Sequence, residues 1–271
     1  MIRRLWPLAL ITFREGTRNR AFYGISLIAL VLMGASFFIS GLIMRDVGKA
    51  AVDMALSTVS FAGLLLVLFV SIDLMAKDLD KRTIYMVLAR PISRRQYIVG
   101  KFLGISLLIA VTVLLLSVFA AISISIIRWA NPDYFSRFFW GPVMLSEVFI
   151  ALSLILLSAL SFLFASVVST SFLTLVLTII SYLIGQSLTS VKALVEAPQA
   201  SGITISPVTL KLVQAAYYLF PNLSLFDIKI YAAHGLAIPS SFIVWTLLYG
   251  LVYIILSITV AAHLFAKKEF P

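Results

Sequence analysis

The positions where this chain could carry out chemistry are few: His234 and His263, the serine of Gly185-Gln186-Ser187, and the pair Gly100-Lys101. A metal site needs several His, Cys, Asp or Glu side chains to converge, and neither histidine has a second His or an acid at ligand spacing. The chain contains no cysteine, which excludes thiolate ligands, thiol catalysis and disulfides. A nucleophilic Ser187 would need a base such as the downstream His234. A lone Gly-x-Ser in an apolar helix more simply serves helix packing, because small residues let helices approach closely. A phosphate-cradling G-x-x-x-x-G-K-[ST] loop fails at Gly100-Lys101, where Arg95 occupies the place of the first glycine and Phe102 follows the lysine. The expectation is a chain with no catalytic residue, no metal and no nucleotide of its own.

The elements around these residues explain the poverty of chemistry. Of 271 residues, 62% are hydrophobic and 12% are charged, against about 25% charged in an ordinary soluble domain. Apolar runs of about 20 residues are what a helix needs to cross a bilayer, and six are read here: Ala21–Met44, Met54–Ala76, Phe102–Ile127, Val143–Val168, Ser171–Ser190 and Ser241–Ala266. The fourth and fifth are divided by inference. No charge lies between Val148 and Val191, a length of about two crossings, and a turn near Ser166, Ser169, Thr170 and Ser171 resolves it. Isolated spans must satisfy their own backbone hydrogen bonds, so the fold class is all-α integral membrane protein.

Six crossings leave both termini on one side. That side carries fourteen Lys and Arg residues (Arg3, Arg4, Arg14, Arg18, Arg20, Lys77, Lys81, Arg82, Arg90, Arg94, Arg95, Lys101, Lys267, Lys268) and the other side seven. The excess places the termini in the cytoplasm, in a cytoplasmic (inner) membrane. No cleavable signal peptide is expected, since five Arg are spread through 1–20. The net charge of +10 therefore reads as topology and not as a nucleic-acid surface. The chain is read as one transmembrane domain over 1–271, with an interfacial helix at 1–20, a cytoplasmic loop at 78–101 and an outer segment at 191–240. Leu5, Leu8, Ala9, Thr12 and Phe13 give the interfacial helix its apolar face. In 128–142, Trp129, Tyr134, Phe138, Phe139 and Trp140 suit the aromatic belt at an interface. The outer segment, interrupted by Pro198, Pro207, Pro221 and Pro239, holds a run at 208–219 suited to a half-buried or re-entrant helix.

The loop Asp78–Lys101 holds eight charges between two apolar runs. Asp78 and Asp80 favour the start of a short helix, and Arg90 ends it before Pro91. Lys81–Ala89 is thus a short helix, with Ile84, Val87 and Leu88 on one face and Tyr85 and Met86 flanking. Ser93 and Gln96 have capping-box spacing and begin the helix that enters the third span. Gly100 and Gly104 leave a smooth patch for another helix. On these residues the loop is either a basic flank resting on anionic lipid or a protein-docking helix.

The stretch TIYMVLARPISRRQYIVGKFLG, with Asp78 ahead of it, resembles the first cytoplasmic loop of type-2 ABC exporter permeases. Thr83, Pro91, Ser93, Arg94, Gly100 and Lys101 stand in the family's places, and Asp78 stands where Glu is common. ITFREGTRNRAFYG at 11–24 is similar to that family's N-terminal segment, and YYLFPNLSLFD at 217–227 resembles its Pro-Asn stretch. The resemblance implies a permease that pairs with a second copy, a homodimer by expectation, and with two copies of a cytoplasmic ABC ATPase that holds the ATP and Mg. Lys81, Arg82, Ile84, Tyr85, Val87, Leu88 and Arg90 would form the coupling helix that docks on the ATPase. Asp78, Pro91, Ser93, Arg94 and Gln96 would form a stiff elbow into the third span. Transport would proceed by alternating access between two permease copies, with the second and fifth spans as walls. Asp73, Thr178, Ser181 and Gln186 are candidates for the path, although polar groups in spans also join helices, and Asp73 can pair with Lys77 and Glu147 can reach the interface. Apolar helices with few charges favour an amphipathic or lipid-like substrate. The alternative is a membrane scaffold that recruits a cytoplasmic partner through 78–101 and transports nothing.

Overall fold

The computed structural model describes residues 2–42, 46–75, 93–136, 138–168, 170–196 and 207–268. Among them are nine α-helices and no strand: α1 (Ile2–Thr17), α2 (Arg20–Leu42), α3 (Val47–Leu65), α4 (Arg94–Ala130), α5 (Trp140–Val167), α6 (Ser171–Glu196), α7 (Pro207–Leu219), α8 (Lys229–His234) and α9 (Ser240–Lys267). Six of them, α2 to α6 and α9, are long and apolar enough to cross a membrane. They coincide with the six expected spans. The break between α5 and α6 falls at 168–170, in the expected serine and threonine cluster.

Burial orders the bundle. In α3 and α5, 61% of the most apolar window is buried, against 22% in α2 and 28% in each of α6 and α9. The second and fourth spans therefore form the centre, and the first, fifth and sixth spans present most of their side chains outward. Phe149, Phe162, Leu56, Leu66 and Ile105 lie fully buried between these elements. Phe102 meets Phe162 edge to face at 5.7 Å.

Two helices depart from the simplest reading of their spans. The third span lies inside a helix of 37 residues, about 55 Å long at 1.5 Å per residue, so it projects well beyond roughly 30 Å of hydrocarbon. α3 runs into a π-helical turn at Leu66–Ser71 before returning to α-helix as far as Met75. Its mark is the hydrogen bond from the Ile72 N–H to the Val67 carbonyl, five residues back. The Ser71 hydroxyl, buried at the end of that turn, has no hydrogen-bond partner among the described residues.

α1 lies along the start of α4, and glycine makes the contact possible. A Cβ at Gly104 would stand 2.5 Å from the Ala9 carbonyl oxygen and 2.7 Å from the Thr12 Cβ, and one at Gly100 would stand 2.6 Å from Leu8 Cδ2. The smooth patch expected from the two glycines is thus occupied by the chain's own first helix. Ala9 and Thr12 are buried there, while Trp6 and Ile11 face outward. On the opposite side, a short 3₁₀ turn (Pro132–Phe135) links α4 to α5. Phe138 packs edge to face on both Phe135 and Trp140, and Trp129 is exposed.

Candidate functional site

On the side of the two chain ends, α4 begins with the capping box that its sequence specifies. The Ser93 side chain accepts from the Gln96 N–H at 3.3 Å, and the Ser93 N–H donates to Gln96 Oε1 at 3.0 Å. Both orphan donors are satisfied, so the first turn of α4 is held against fraying. Asp78, Lys81, Arg82, Ile84, Tyr85, Val87, Leu88, Arg90 and Pro91 lie outside the described residues. The described part of the loop starts at Ser93.

Basic side chains join the helix ends around this start. Lys101, at the start of the third turn of α4, is buried and donates to the Leu74 carbonyl at the end of the second span. Its ammonium also lies 5.5 Å from the centre of the Tyr97 ring. Arg94 donates to the Lys268 carbonyl at 2.5 Å, just past α9. The Lys268 ammonium in turn donates to the carbonyls of Val168 at 2.7 Å and Ala165 at 3.5 Å, at the end of α5. Burial pushes the Lys268 ammonium below its ordinary value. These three contacts do one job. Each of the three spans that end on this side presents unsatisfied carbonyls and the negative end of its dipole, and a cation meets each. Tyr97 stacks on Phe265 of α9 at 5.9 Å, so the start of α4 is bound directly to the ends of the second and sixth spans and, through Lys268, to the end of the fourth.

Asp73 belongs to the same end. Asn19 donates to Asp73 Oδ2 at 3.2 Å, and Asn19 Oδ1 accepts from the Ala21 N–H at 3.0 Å, capping the start of α2. Asp73 was expected to pair with Lys77, which lies outside the described residues. Its partner here is an amide 54 positions away in the chain.

Of the other candidate path residues, Gln186 lies in the opposite half of the bundle, whereas Thr178 and Ser181 sit on α6 seven and ten residues past its start on this side. Thr178 and Ser181 are buried, and their hydroxyls donate to carbonyls of their own helix, Thr174 at 2.7 Å and Leu177 at 2.8 Å. Gln186 instead fronts a narrow crevice among α3, α5, α6 and the 223–229 segment, with Tyr182, Ser60, Ser153, Asp227 and Lys229 around it. Its volume is about 20 Å³, room for about one water. Asp227 and Lys229 pair at 3.4 Å beside it. Asp73 is not brought to this group.

The Pro-Asn stretch closes that half. Asn222 donates from its backbone to the Tyr249 hydroxyl at 2.8 Å and from its side chain to Thr189 at 3.0 Å. Its Oδ1 accepts from the Ser224 N–H at 3.2 Å and hydroxyl at 2.7 Å. One asparagine thus ties α6, α9 and the 3₁₀ turn Leu223–Phe226 together. The turn seats on Gly185, where a Cβ would stand 2.8 Å from the Pro221 carbonyl oxygen. Sequence reasoning quoted the stretch without assigning Asn222 a role, and it treated Lys268 only as a topological charge.

Ser187 and His234 are each engaged within their own helix. Ser187 donates to the Leu183 carbonyl at 2.8 Å. His234 ends the short α8 and contacts the Ile230 carbonyl at 3.1 Å. Among the described residues no three His, Cys, Asp or Glu side chains gather into a metal site.

A polytopic helical membrane protein in which the loop between its second and third spans opens onto a capped helix is the class defined by this geometry. Residues 6–270 match the ABC-2 family of transporter proteins, and the chain belongs to that family. It is similar to the "Probable ABC transporter permease protein NosY" of Stutzerimonas stutzeri, 25% identical over 166 residues, covering 56% of this chain and 59% of the relative. The protein of the same name from Pseudomonas aeruginosa is 28% identical over 170 residues, covering 58% and 60%. The match thus spans about three fifths of each relative's length.

Proposed function

We propose that the chain is the membrane-spanning permease subunit of an ATP-driven exporter whose ATP is hydrolysed on a separate cytoplasmic subunit. Two permease chains and two ATPase subunits form the working unit, with ATP and Mg on the ATPases. The termini and the 78–101 loop face the cytoplasm. Lys81–Ala89 docks as the coupling helix through Ile84, Val87 and Leu88, with Lys81, Arg82, Tyr85 and Arg90 around them.

The observation that carries this reading is the unbroken helix Arg94–Ala130 and its bonded start. A displacement delivered at Ser93 cannot be absorbed by a frayed first turn, because the capping box closes it. It passes directly to the second and sixth spans through Lys101, Arg94 and Tyr97, and on to the fourth through Lys268. The π turn in the second span offers a place where that span can change its winding. Alternating access then opens and closes a cavity between two permease copies, with α3 and α6 as its walls. Asp73 stands at the cytoplasmic mouth and Gln186 in the outer half, and Thr178 and Ser181 join the path when α6 moves off its neighbours. An amphipathic or lipid-like substrate suits walls of this kind.

The test is co-purification in detergent with a candidate ABC ATPase subunit, comparing wild type with Val87→Asp, Leu88→Asp. Burying two carboxylates against an apolar groove costs several kcal/mol, enough to reduce recovery of the ATPase by more than about 100-fold. Undiminished recovery with the folded variant would remove the docking role. Binding without any nucleotide-driven change in the spans would favour the scaffold.

A further inference from the structure

We infer that the groove between α1 and α2, on the side of the chain ends, binds the phosphate headgroup of an anionic phospholipid. The inference concerns the membrane around the protein and holds whether or not the chain is driven by an ATPase. The groove is a cavity of about 700 Å³ lined by Ile11, Arg14, Glu15, Arg18, Asn19, Arg20 and Leu74. Three arginines therefore line one space, all three residues are exposed, and none forms an ion pair with another described residue. A guanidinium is a planar fork that fits phosphate oxygens two at a time.

The acids nearby do not cancel this. Glu15 lines the groove and Asp73 lies behind it, so three cations stand against two acids and leave an excess of one. Asp73, however, already accepts from Asn19. Two of the last four carbonyls of α1 are also occupied, since Arg14 accepts from the Arg18 N–H at 3.2 Å and Gly16 from the Asn19 N–H at 3.1 Å. The start of α2, a helix of 23 residues, turns the positive end of its dipole toward the same place.

The frame that holds the arginines is fixed. Gly16 packs so closely that a Cβ there would stand 2.5 Å from Leu108 Cδ2. Asn19 bonds at once to the end of the second span and to the start of the first. The backbone that carries the arginines is thus held in place, and the ordering that binding requires is confined to their side chains.

What selects a lipid over free phosphate is the surface that continues from the groove. Arg20, Tyr23, Leu27 and Val31 fall on one face of α2 at helical spacing, and Tyr23, Leu27 and Val31 are 61%, 63% and 63% exposed. The stripe starts at the headgroup-level arginine and runs into the apolar span. A phospholipid can place its phosphate among the arginines and an acyl chain along this stripe. Inorganic phosphate has nothing to lay there.

The experiment exposes the full chain in detergent to equal amounts of phosphatidylglycerol and phosphatidylcholine and counts retained lipid by native mass spectrometry. Wild type is expected to prefer phosphatidylglycerol by more than about tenfold, each arginine contributing roughly fivefold. Arg14→Gln, Arg18→Gln, Arg20→Gln should bring the preference below about twofold, and Arg18→Gln alone should lower it part of the way if the triple variant does not fold. Arg95→Gln, Lys267→Gln removes charge from the same side outside the groove and should leave the preference in place. Equal retention of the two lipids by wild type, or equal loss in the control variant, would overturn the site. Displacement of the lipid by excess inorganic phosphate would show a site for phosphate alone and overturn the lipid assignment.

Discussion

Replacing Gly104 with alanine should dislodge α1 from α4, whereas the same change at Gly100 should not. At Gly104 the new Cβ would stand 2.5 Å from the Ala9 carbonyl oxygen, and ordinary contact begins at 3.4 Å. Since the obstacle is backbone, α1 as a whole must recede by about 0.9 Å, the difference of these values. At Gly100 the nearest atom is the tip of Leu8, 2.6 Å away, which can turn aside by a rotamer change, and the Leu8 Cβ at 3.2 Å asks α1 to give by only about 0.2 Å, against ordinary contact at 3.4 Å. Overpacking costs about 1–3 kcal/mol, and exchanging glycine for alanine inside a helix returns about 1 kcal/mol. Gly100→Ala should therefore be close to neutral and Gly104→Ala destabilising by about 1–2 kcal/mol. The chain has no cysteine, so Thr12→Cys provides a single thiol at a site that is 1% exposed. Maleimide labelling of that thiol, with thermal unfolding in detergent, reads both effects. Labelling should be several times faster with Gly104→Ala and little changed with Gly100→Ala. Equal labelling and equal stability in the two variants would refute the close approach of α1 to α4.

Lys268→Ala should leave the Val168 and Ala165 carbonyls without their cation and cost about 1 kcal/mol, because the residue is only half-buried; amide exchange at 165–168 should rise and Lys268→Arg should restore it. Asn222→Ala removes its contacts to Thr189 and Ser224 at once and should cost about 2–3 kcal/mol, read as a lowered unfolding midpoint. Because Asn222 joins α6 to α9, cysteines introduced at Gln186 should label faster in that variant.

How much of this was legible in the sequence depended on whether the deciding contact is local. The capping box at Ser93 and Gln96 was readable because its two partners are three residues apart. The spans were readable from apolar runs, but their ends were not. Hydropathy marks where side chains enter the hydrocarbon, and a helix continues as long as its backbone bonds and caps allow. That is why the third span begins at Phe102 by composition and its helix at Arg94. The partner of Asp73 could not be read, since Lys77 is near in sequence and Asn19 is near only in the fold. Lys101 and Lys268 carried a signal in hindsight: each helix end on that side needs a donor for its last carbonyls, and these are basic residues beside such ends. The π turn left no such mark, because Leu66–Ser71 is as apolar as the rest of its span.

Whether force entering at the loop reaches the spans can be measured directly. The chain with a single Gln186→Cys thiol would be reconstituted with its ATPase, and labelling compared with and without Mg and ATP, in the native loop and with two glycines inserted before Ser93. The permease mechanism predicts a nucleotide-dependent change in labelling with the native loop. It also predicts loss of that change in the insertion variant while the ATPase stays bound. A bound, hydrolysing ATPase that leaves Gln186→Cys labelling unchanged in the native loop would contradict it.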